Sequence, residues 1–399
     1  MTDEDPTEVI RDRLERRLHH AKDVSLDVVV DNTSEHFVTD HSDLLEILLK
    51  LGPVERWYSL QVRDSYIFDD LYSNIALAGR FISLRVLTVF HNGWSSTSRI
   101  LSDLFQSIAR SRSPLKHLGL FTEQCPIDLE ILLQLQTIRS FSGNLASFHM
   151  LPEDFIANLR EVKLDGTYSG WRLTRELPQC QATITNFSPW ILTIMSVRNV
   201  TTLIISVGVS WEELHVPIEL PNLHNLHLRP YDRHLLQVIK APKIQVLKIS
   251  REHNEREYTP LKRVSVGNKT PTHLLMQRNR QLLTIYPVSV TIDITEIPNE
   301  TFLAMLKVWP QLKHLSIVLG GSFDCFGTFA ERLLDDESPL FPNLETMYME
   351  VDWHVKGQKW NRWRAVAKEM MLASKNLPLR SIIWRNSWFG VESVIQNNM

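Results

Sequence analysis

Cysteine is scarce in this chain. Cys125, Cys180 and Cys325 are the only three in 399 residues, and they lie far apart. So sparse and odd a set fits neither a disulfide framework nor the paired spacing of a metal site. Glycine is also rare, at 14 residues, and no G-x-x-x-x-G-K-[ST] or G-x-S-x-G motif occurs. That argues against a phosphate-binding loop and against a nucleophile elbow. No stretch approaches the roughly 18 apolar residues of a membrane span, and the N-terminus, MTDEDPTEVIRDRLERR, is charged from its start. We therefore expect no membrane segment and no signal peptide. An excess of one charge is missing too: 43 basic residues against 46 acidic ones leave −3, so nucleic acid is not an expected partner. The expectation is a cytoplasmic or nuclear protein with reduced thiols. In that setting its five N-x-[ST] sequons, at Asn32, Asn186, Asn199, Asn268 and Asn299, would carry no glycan.

What the chain has in quantity is one short pattern, apolar-x-x-apolar-x-apolar. It reads L84RVLTV89, L115KHLGL120, L159REVKL164, V200TTLII205, L223HNLHL228, I244QVLKI249, L261KRVSV266, L312KHLSI317, L344ETMYM349 and L379RSIIW384, with a degenerate copy at I138RSFSG143. From Leu115 to Ile138 is 23 residues and from Ile138 to Leu159 is 21; the steps from Val200 to Leu223 and on to Ile244 repeat those values. Longer gaps predict hidden copies near Ile184 and near V288SVTIDI294. A period of 20–29 residues carrying L-x-x-L-x-L is the leucine-rich-repeat signature. Positions four and six alternate, so both point to one side of a short strand, and one unit cannot bury them without neighbours. The expected fold is an α/β, irregular leucine-rich-repeat solenoid, with parallel strands on a concave face and helices and turns on the convex side.

Between the copies, R99ILSDLFQSIAR110 places Ile100, Leu101, Leu104, Phe105 and Ile108 on one helical face. E300TFLAMLKVW309 and W360NRWRAVAKEMM371 read the same way, and the shorter returns predict short helices or extended turns. Pro221, Pro242, Pro310 and Pro342 stand two residues before position one, where they are expected to stop a helix and set an extended entry. Residues 1–80 differ: a helix over 7–21, a strand at S25LDVVVD31, a helix from Ser42 and a strand at R56WYSLQV62. We read them as the N-terminal entry of the array. Residues 81–399 form the array itself, and one continuous domain covers both. Trp353, Trp360, Trp363, Trp384 and Trp388 are expected to cap its C-terminal end.

The order S25LDVVVD31, helix, E55RWYSLQV62, followed by I218ELPNLHNLHL228 and A241PKIQVLKI249, resembles the F-box-like leucine-rich-repeat proteins of mushroom-forming fungi. The resemblance spans roughly residues 10–385. It implies the substrate-recognition part of a ubiquitin-ligase adaptor. The family's F-box has no counterpart in the residues before Ser25, so a Skp-type adaptor is expected as a partner only through an F-box outside this chain. The family's repeat asparagine is present at Asn92 but replaced at Glu123, Thr167, Tyr231, Glu252 and Gly320.

No catalytic, cofactor or metal site is expected. His19 and His20 sit on a charged helix, and His224 and His227 lack a companion ligand set. Cys325 has no partner histidine fixed by spacing. The site expectation rests on strand alternation: positions three, five and seven face away from the core. They include Glu161, Lys163, Asp165, Asn225, His227, Arg229, Lys248, Ser250, Arg263, His314, Ser316, Tyr348, Glu350 and Arg385. From these the partner-binding set is Lys163, His227, Arg229, Lys248, Arg263, His314, Tyr348 and Arg385. Arg229, Lys248 and Arg263 are expected to run diagonally over three consecutive units as a basic strip for an acidic or phosphorylated target protein. The function expected is a non-enzymatic interaction module. The alternatives are an orphan structural repeat protein and an enzyme with a scattered site.

Overall fold

The computed structural model describes residues 6–22, 24–32, 42–64, 75, 79–91, 98–122, 129–166, 175–187, 197–207, 218–229, 239–250, 287–293, 309, 311–319, 341–351, 365, 368, 378–386 and 391–396. The fold is mixed α/β, dominated by parallel strands, and the chain divides into two compact units. Unit 1 is Met1–Asn186 with Ile194–Ser196; unit 2 is Phe187–Thr193 with Val197–Met399.

In unit 1 the strands are β1 (Leu26–Asn32), β2 (Trp57–Asp64), β3 (Val86–His91), β4 (His117–Thr122), β5 (Ser140–Asn144), β6 (Glu161–Asp165) and β7 (Gln181–Phe187). They pair in sequence order, each parallel to the next. The helices are α1 (Pro6–His20), α2 (Ser42–Leu51), α3 (Ser98–Arg110), α4 (Leu129–Gln134), α5 (Leu145–His149) and α6 (Glu153–Ala157). The entry segment is thus continuous with the array, since β1 and β2 extend the same sheet. Residues Arg56 and Trp57 make that join. The Arg56 guanidinium donates to the carbonyls of Ala21 and Val24 after α1 and of Leu51 at the end of α2, where orphan carbonyls favour a cation. Trp57 is fully buried, edge-on to Phe81, and its Nε1 donates to Gly52 O at 2.6 Å.

Unit 2 contains β8 (Thr202–Val207), β9 (Ile218–Glu219), β10 (Asn225–Arg229), β11 (Ile239–Lys240), β12 (Val246–Ile249), β13 (Ser289–Asp293), β14 (His314–Leu319), β15 (Thr346–Val351), β16 (Ser381–Asn386) and β17 (Val391–Gln396). The main sheet runs β8-β10-β12-β13-β14-β15-β16 in parallel, and β17 closes it by pairing antiparallel to β16. Before β10 and β12 the chain carries the short strands β9 and β11, which pair in parallel as a second, two-stranded sheet. Both hidden copies are strands, β7 and β13.

The core follows the register. Position four stacks Leu60, Leu87, Leu118, Phe141 and Val162 in unit 1, and Leu203, Leu226, Leu247, Val290, Leu315 and Met347 in unit 2; all are buried. Position six stacks beside it. The degenerate copy keeps this core filled: a Cβ on Gly143 would lie 2.2 Å from Leu120 O and 2.8 Å from Phe141 Cζ. The phenyl ring at position four thus takes the space left at position six.

The backbone repeats as strictly as the side chains. The position-two carbonyl of one unit accepts the amides at positions two and three of the next. Arg85 O takes Lys116 N at 2.8 Å and His117 N at 3.0 Å; Lys116 O takes Arg139 and Ser140; Arg139 O takes Arg160 and Glu161. In unit 2, Thr201, His224, Gln245, Val288 and Lys313 act the same way. The prolines have a different role from the one expected. Pro221, Pro242 and Pro342 are the second residue of a turn in which position one donates to a residue three earlier: Leu223 N to Leu220 O, Ile244 N to Ala241 O and Leu344 N to Phe341 O, at 3.2 Å each. Proline's fixed φ suits that turn position.

Helix expectations hold for α1, α2 and α3. In α3, Leu104, Phe105 and Ile108 are fully buried. Most of 300–309 and 360–371 lies outside the described residues, although Trp309 is buried and Ala365 and Lys368 are helical. The side chains of the five tryptophans expected as a cap also lie outside them; what covers the free edge of β16 is β17.

Candidate functional site

Strand alternation leaves positions three, five and seven on the face opposite the core, and among the described residues each unit carries a concentrated polar group there. In unit 1 it spans β4, β5 and β6. Ser140 Oγ donates to Glu161 Oε2 at 2.9 Å, so Ser140 accepts from His117 Nδ1, 2.9 Å away. The imidazole proton therefore sits on Nδ1, and Nε2 accepts from Ser142 Oγ at 3.0 Å. Lys163 completes the chain through an ion pair to Glu161 at 3.0 Å. Burial, then the Lys163 charge, lowers the His117 pKa below its usual range, with Glu161 opposing. Partial burial works against the Glu161 charge, but Lys163 and Ser140 outweigh it and hold the carboxyl below its ordinary value. Lys163 is thus half of a neutral pair, not a free cation for a partner.

Beside this network runs an outward ladder at position seven. Arg63 Cζ stands 5.0 Å over the Phe90 ring, and Phe90 stacks on Phe121 at 4.5 Å with planes 10° apart. At the far side Asn144 caps α5, accepting from Ser147 N at 2.8 Å and donating to Thr122 O at 3.0 Å.

In unit 2 the register brings His227 on β10 opposite Lys248 on β12. Arg229 Nε donates to His227 Nε2 at 3.1 Å, and Ser250 Oγ lies 2.7 Å from the same nitrogen. A guanidinium has only protons to offer, so Nε2 is bare and the imidazole proton lies on Nδ1. Burial first, then Arg229 and Lys248, pushes the His227 pKa down to about 3. Arg229 and Lys248 are exposed, and among the described residues neither forms an ion pair. A second group lies toward the C-terminal side. Tyr348 O–H donates to Glu350 Oε2 at 3.4 Å and its phenol oxygen accepts from Arg385, while Glu350 and Arg385 face each other in register. Burial raises the Tyr348 phenol pKa. His314 Nδ1 meets Thr346 Oγ1 at 2.8 Å.

The register corrects the basic strip. The strand that follows β12 in the sheet is β13, so Lys248 stands opposite Thr291. Arg263 lies outside the described residues. What remains of the strip is a compact set, His227, Arg229, Lys248 and Ser250. Sequence reasoning passed over His117, Ser140, Ser142 and the Arg63–Phe90–Phe121 ladder. Reading positions three, five and seven across units instead of along each strand would have found them. Among the described residues no three His, Cys, Asp or Glu side chains are grouped to hold a metal ion, and no helix is long and apolar enough to cross a membrane. No family model and no curated protein matches the chain.

Proposed function

We propose that the chain is an irregular leucine-rich-repeat solenoid, its parallel strands lining a concave face, that acts as a non-enzymatic protein-interaction module. The observation that carries this is the repeated step: buried residues at positions one, four and six, and a position-two carbonyl bridging to two amides of the next unit. Such a sheet presents register-aligned side chains that no core packing constrains, which suits partner recognition. On this reading the protein selects a target, acidic or phosphorylated, as F-box-type ubiquitin-ligase adaptors do, and works in the cytoplasm or nucleus. A Skp-type adaptor would join only through an F-box, which the residues before Ser25 do not resemble. The test is affinity capture with the full chain, with and without Arg229→Glu and Lys248→Glu together. A partner retained by the native chain and lost by the charge-reversed one supports the proposal. Capture that ignores both residues refutes their role.

A second reading rests on the order Ser142–His117–Ser140–Glu161, in which a hydroxyl faces a base held in one tautomer by a carboxylate-linked partner. A fluorophosphonate probe that labels Ser142 and fails on His117→Ala would favour an acyl-transfer enzyme over a binding module. No labelling removes that reading.

A further inference from the structure

We infer that Arg229, Lys248 and Ser250 form a binding site for the phosphate of a phosphorylated side chain in a partner segment, with His227 as the residue that positions Arg229. The inference rests on the interaction-module reading above and names the chemistry that one part of its surface recognises.

Three observations carry it. First, the guanidinium is oriented. Its Nε is tied to His227 Nε2 at 3.1 Å, a contact that does not use the fork between the two terminal nitrogens. A guanidinium presented this way offers a fork that matches two oxygens of one anion. Second, the anchor is a neutral one. A carboxylate in place of His227 would orient Arg229 equally well but would cancel its charge. An imidazole that accepts at Nε2 fixes the guanidinium and leaves the charge available. Third, a second cation and a hydroxyl stand close by. Lys248 is opposite His227 in register and diagonal to Arg229, about 8 Å away by strand spacing. Ser250 Oγ already meets the same imidazole nitrogen.

The charge count selects the ligand. Two exposed cations without an ion pair among the described residues match a dianion. A phosphomonoester carries close to two negative charges at neutral pH, whereas a carboxylate carries one. A nucleic-acid backbone is a poorer match. It needs a run of cations along its track, and the next residues of the row after Lys248 are Thr291 and Ser316. The acidic position nearest this set along the sheet is Asp293, which follows Ile292, the register partner of Ile249; its side chain lies outside the described residues. Glu252, Glu255 and Glu257 lie outside the described residues.

The test uses the full chain and three probes: N-acetyl-phosphoserine methylamide, N-acetyl-glutamate methylamide and inorganic phosphate, followed by amide chemical-shift titration. The expected result is saturable binding of the phosphoserine probe, with shifts at 225–229 and 246–250. Glutamate should bind at least about tenfold more weakly. Arg229→Gln and Lys248→Gln should each lose about tenfold, and Lys116→Gln should lose nothing. His227→Gln, which can still accept from Arg229 Nε, should stay within about threefold of native, while His227→Leu should lose about tenfold with an unchanged melting temperature. Equal affinity for glutamate, loss in His227→Gln as great as in His227→Leu, or no saturation would each overturn the site. Inorganic phosphate binding as tightly as the phosphoserine probe would overturn the partner segment as its source. Binding that appears only in E252Q/E255Q/E257Q would mean that the chain's own acids fill the site, and would overturn its being free for a partner. Partner capture that persists without phosphoserine binding would sink this inference and leave the interaction-module proposal standing.

Discussion

Leu226→Ala is the sharpest test of the repeated core. Leu226 is 1% exposed and stands at position four of β10, with Leu203 on one side and Leu247 on the other in register. The substitution removes three carbon groups from an apolar site, a transfer loss of about 2.4 kcal/mol. A cavity term adds to it. The neighbouring strands are held on both sides by ladder bonds and by the position-two carbonyls of Thr201 and His224, so they cannot close over the gap. The total should reach about 3–4 kcal/mol, inside the range measured for buried leucines. For a unit of this size that corresponds to a melting temperature lower by roughly 8–12 °C. Urea unfolding followed by far-UV circular dichroism should show a reduced midpoint with an unchanged slope. The control is Lys248→Ala on the adjacent strand, which is exposed and should stay within about 0.5 kcal/mol of native. If Leu226→Ala costs less than about 1 kcal/mol, or no more than its control, the stacked column does not exist as described.

Other outcomes follow from single features. Arg112 sits at φ 51° just after α3, with its N bonded to Ala109 O and Ser113 N bonded to Ile108 O, the two closing bonds of a left-handed helix end. Arg112→Gly should therefore raise stability by about 1 kcal/mol in a thermal melt, and a loss would refute this geometry. Gly143→Ala should destabilise by about 1–3 kcal/mol, because its Cβ would meet the Leu120 carbonyl, and calorimetry measures that directly. The Cys180 thiol, buried and with its pKa pushed up to about 12, should resist iodoacetamide at pH 8 until the chain is unfolded. For His227 the folded pKa lies below the unfolded value of 6.5, so the unfolded chain binds the extra proton as pH falls from 6.5 toward 3 and stability falls with it. With water at the sheet face screening the effect, about 1–2 kcal/mol of that acid loss should disappear in His227→Gln; an unchanged pH slope would refute the depressed pKa.

The core was legible because burial and periodicity are the same fact seen twice. A strand with one covered face must alternate, and a stack of such strands must place its large apolar residues in register, so Leu87, Leu118, Leu226, Leu247 and Leu315 could be placed from spacing alone. The turn that feeds each strand was less legible. Its first residue is a buried Leu220, Ala241, Trp309 or Phe341, types that share no pattern beyond being apolar. Chain order hid the neighbours of the site. The pattern at 261–266 suggested that Arg263 follows Lys248, but a longer connection brings β13 to that edge, and Thr291 takes the place. The closing strand β17 pairs antiparallel and carries no repeat signature, so only the sheet edge it covers explains it.

The two polar groups differ in a way that bears on what each can do. Around His117 every charge is answered inside the group. Lys163 meets Glu161, Glu161 meets Ser140, Ser140 meets His117, and His117 meets Ser142. Such a closed chain ties three adjacent strands together, and a partner would have to break one of its bonds to enter. Around His227 the chain is open. The imidazole is neutral, its bare nitrogen is used to hold Arg229, and neither Arg229 nor Lys248 forms an ion pair among the described residues. Repulsion between two exposed cations whose Cα atoms lie about 8 Å apart by strand spacing costs little in water and falls further with salt. A bound dianion would convert that small repulsion into attraction at both residues, so the gain on binding is largest where the free surface is left unpaired.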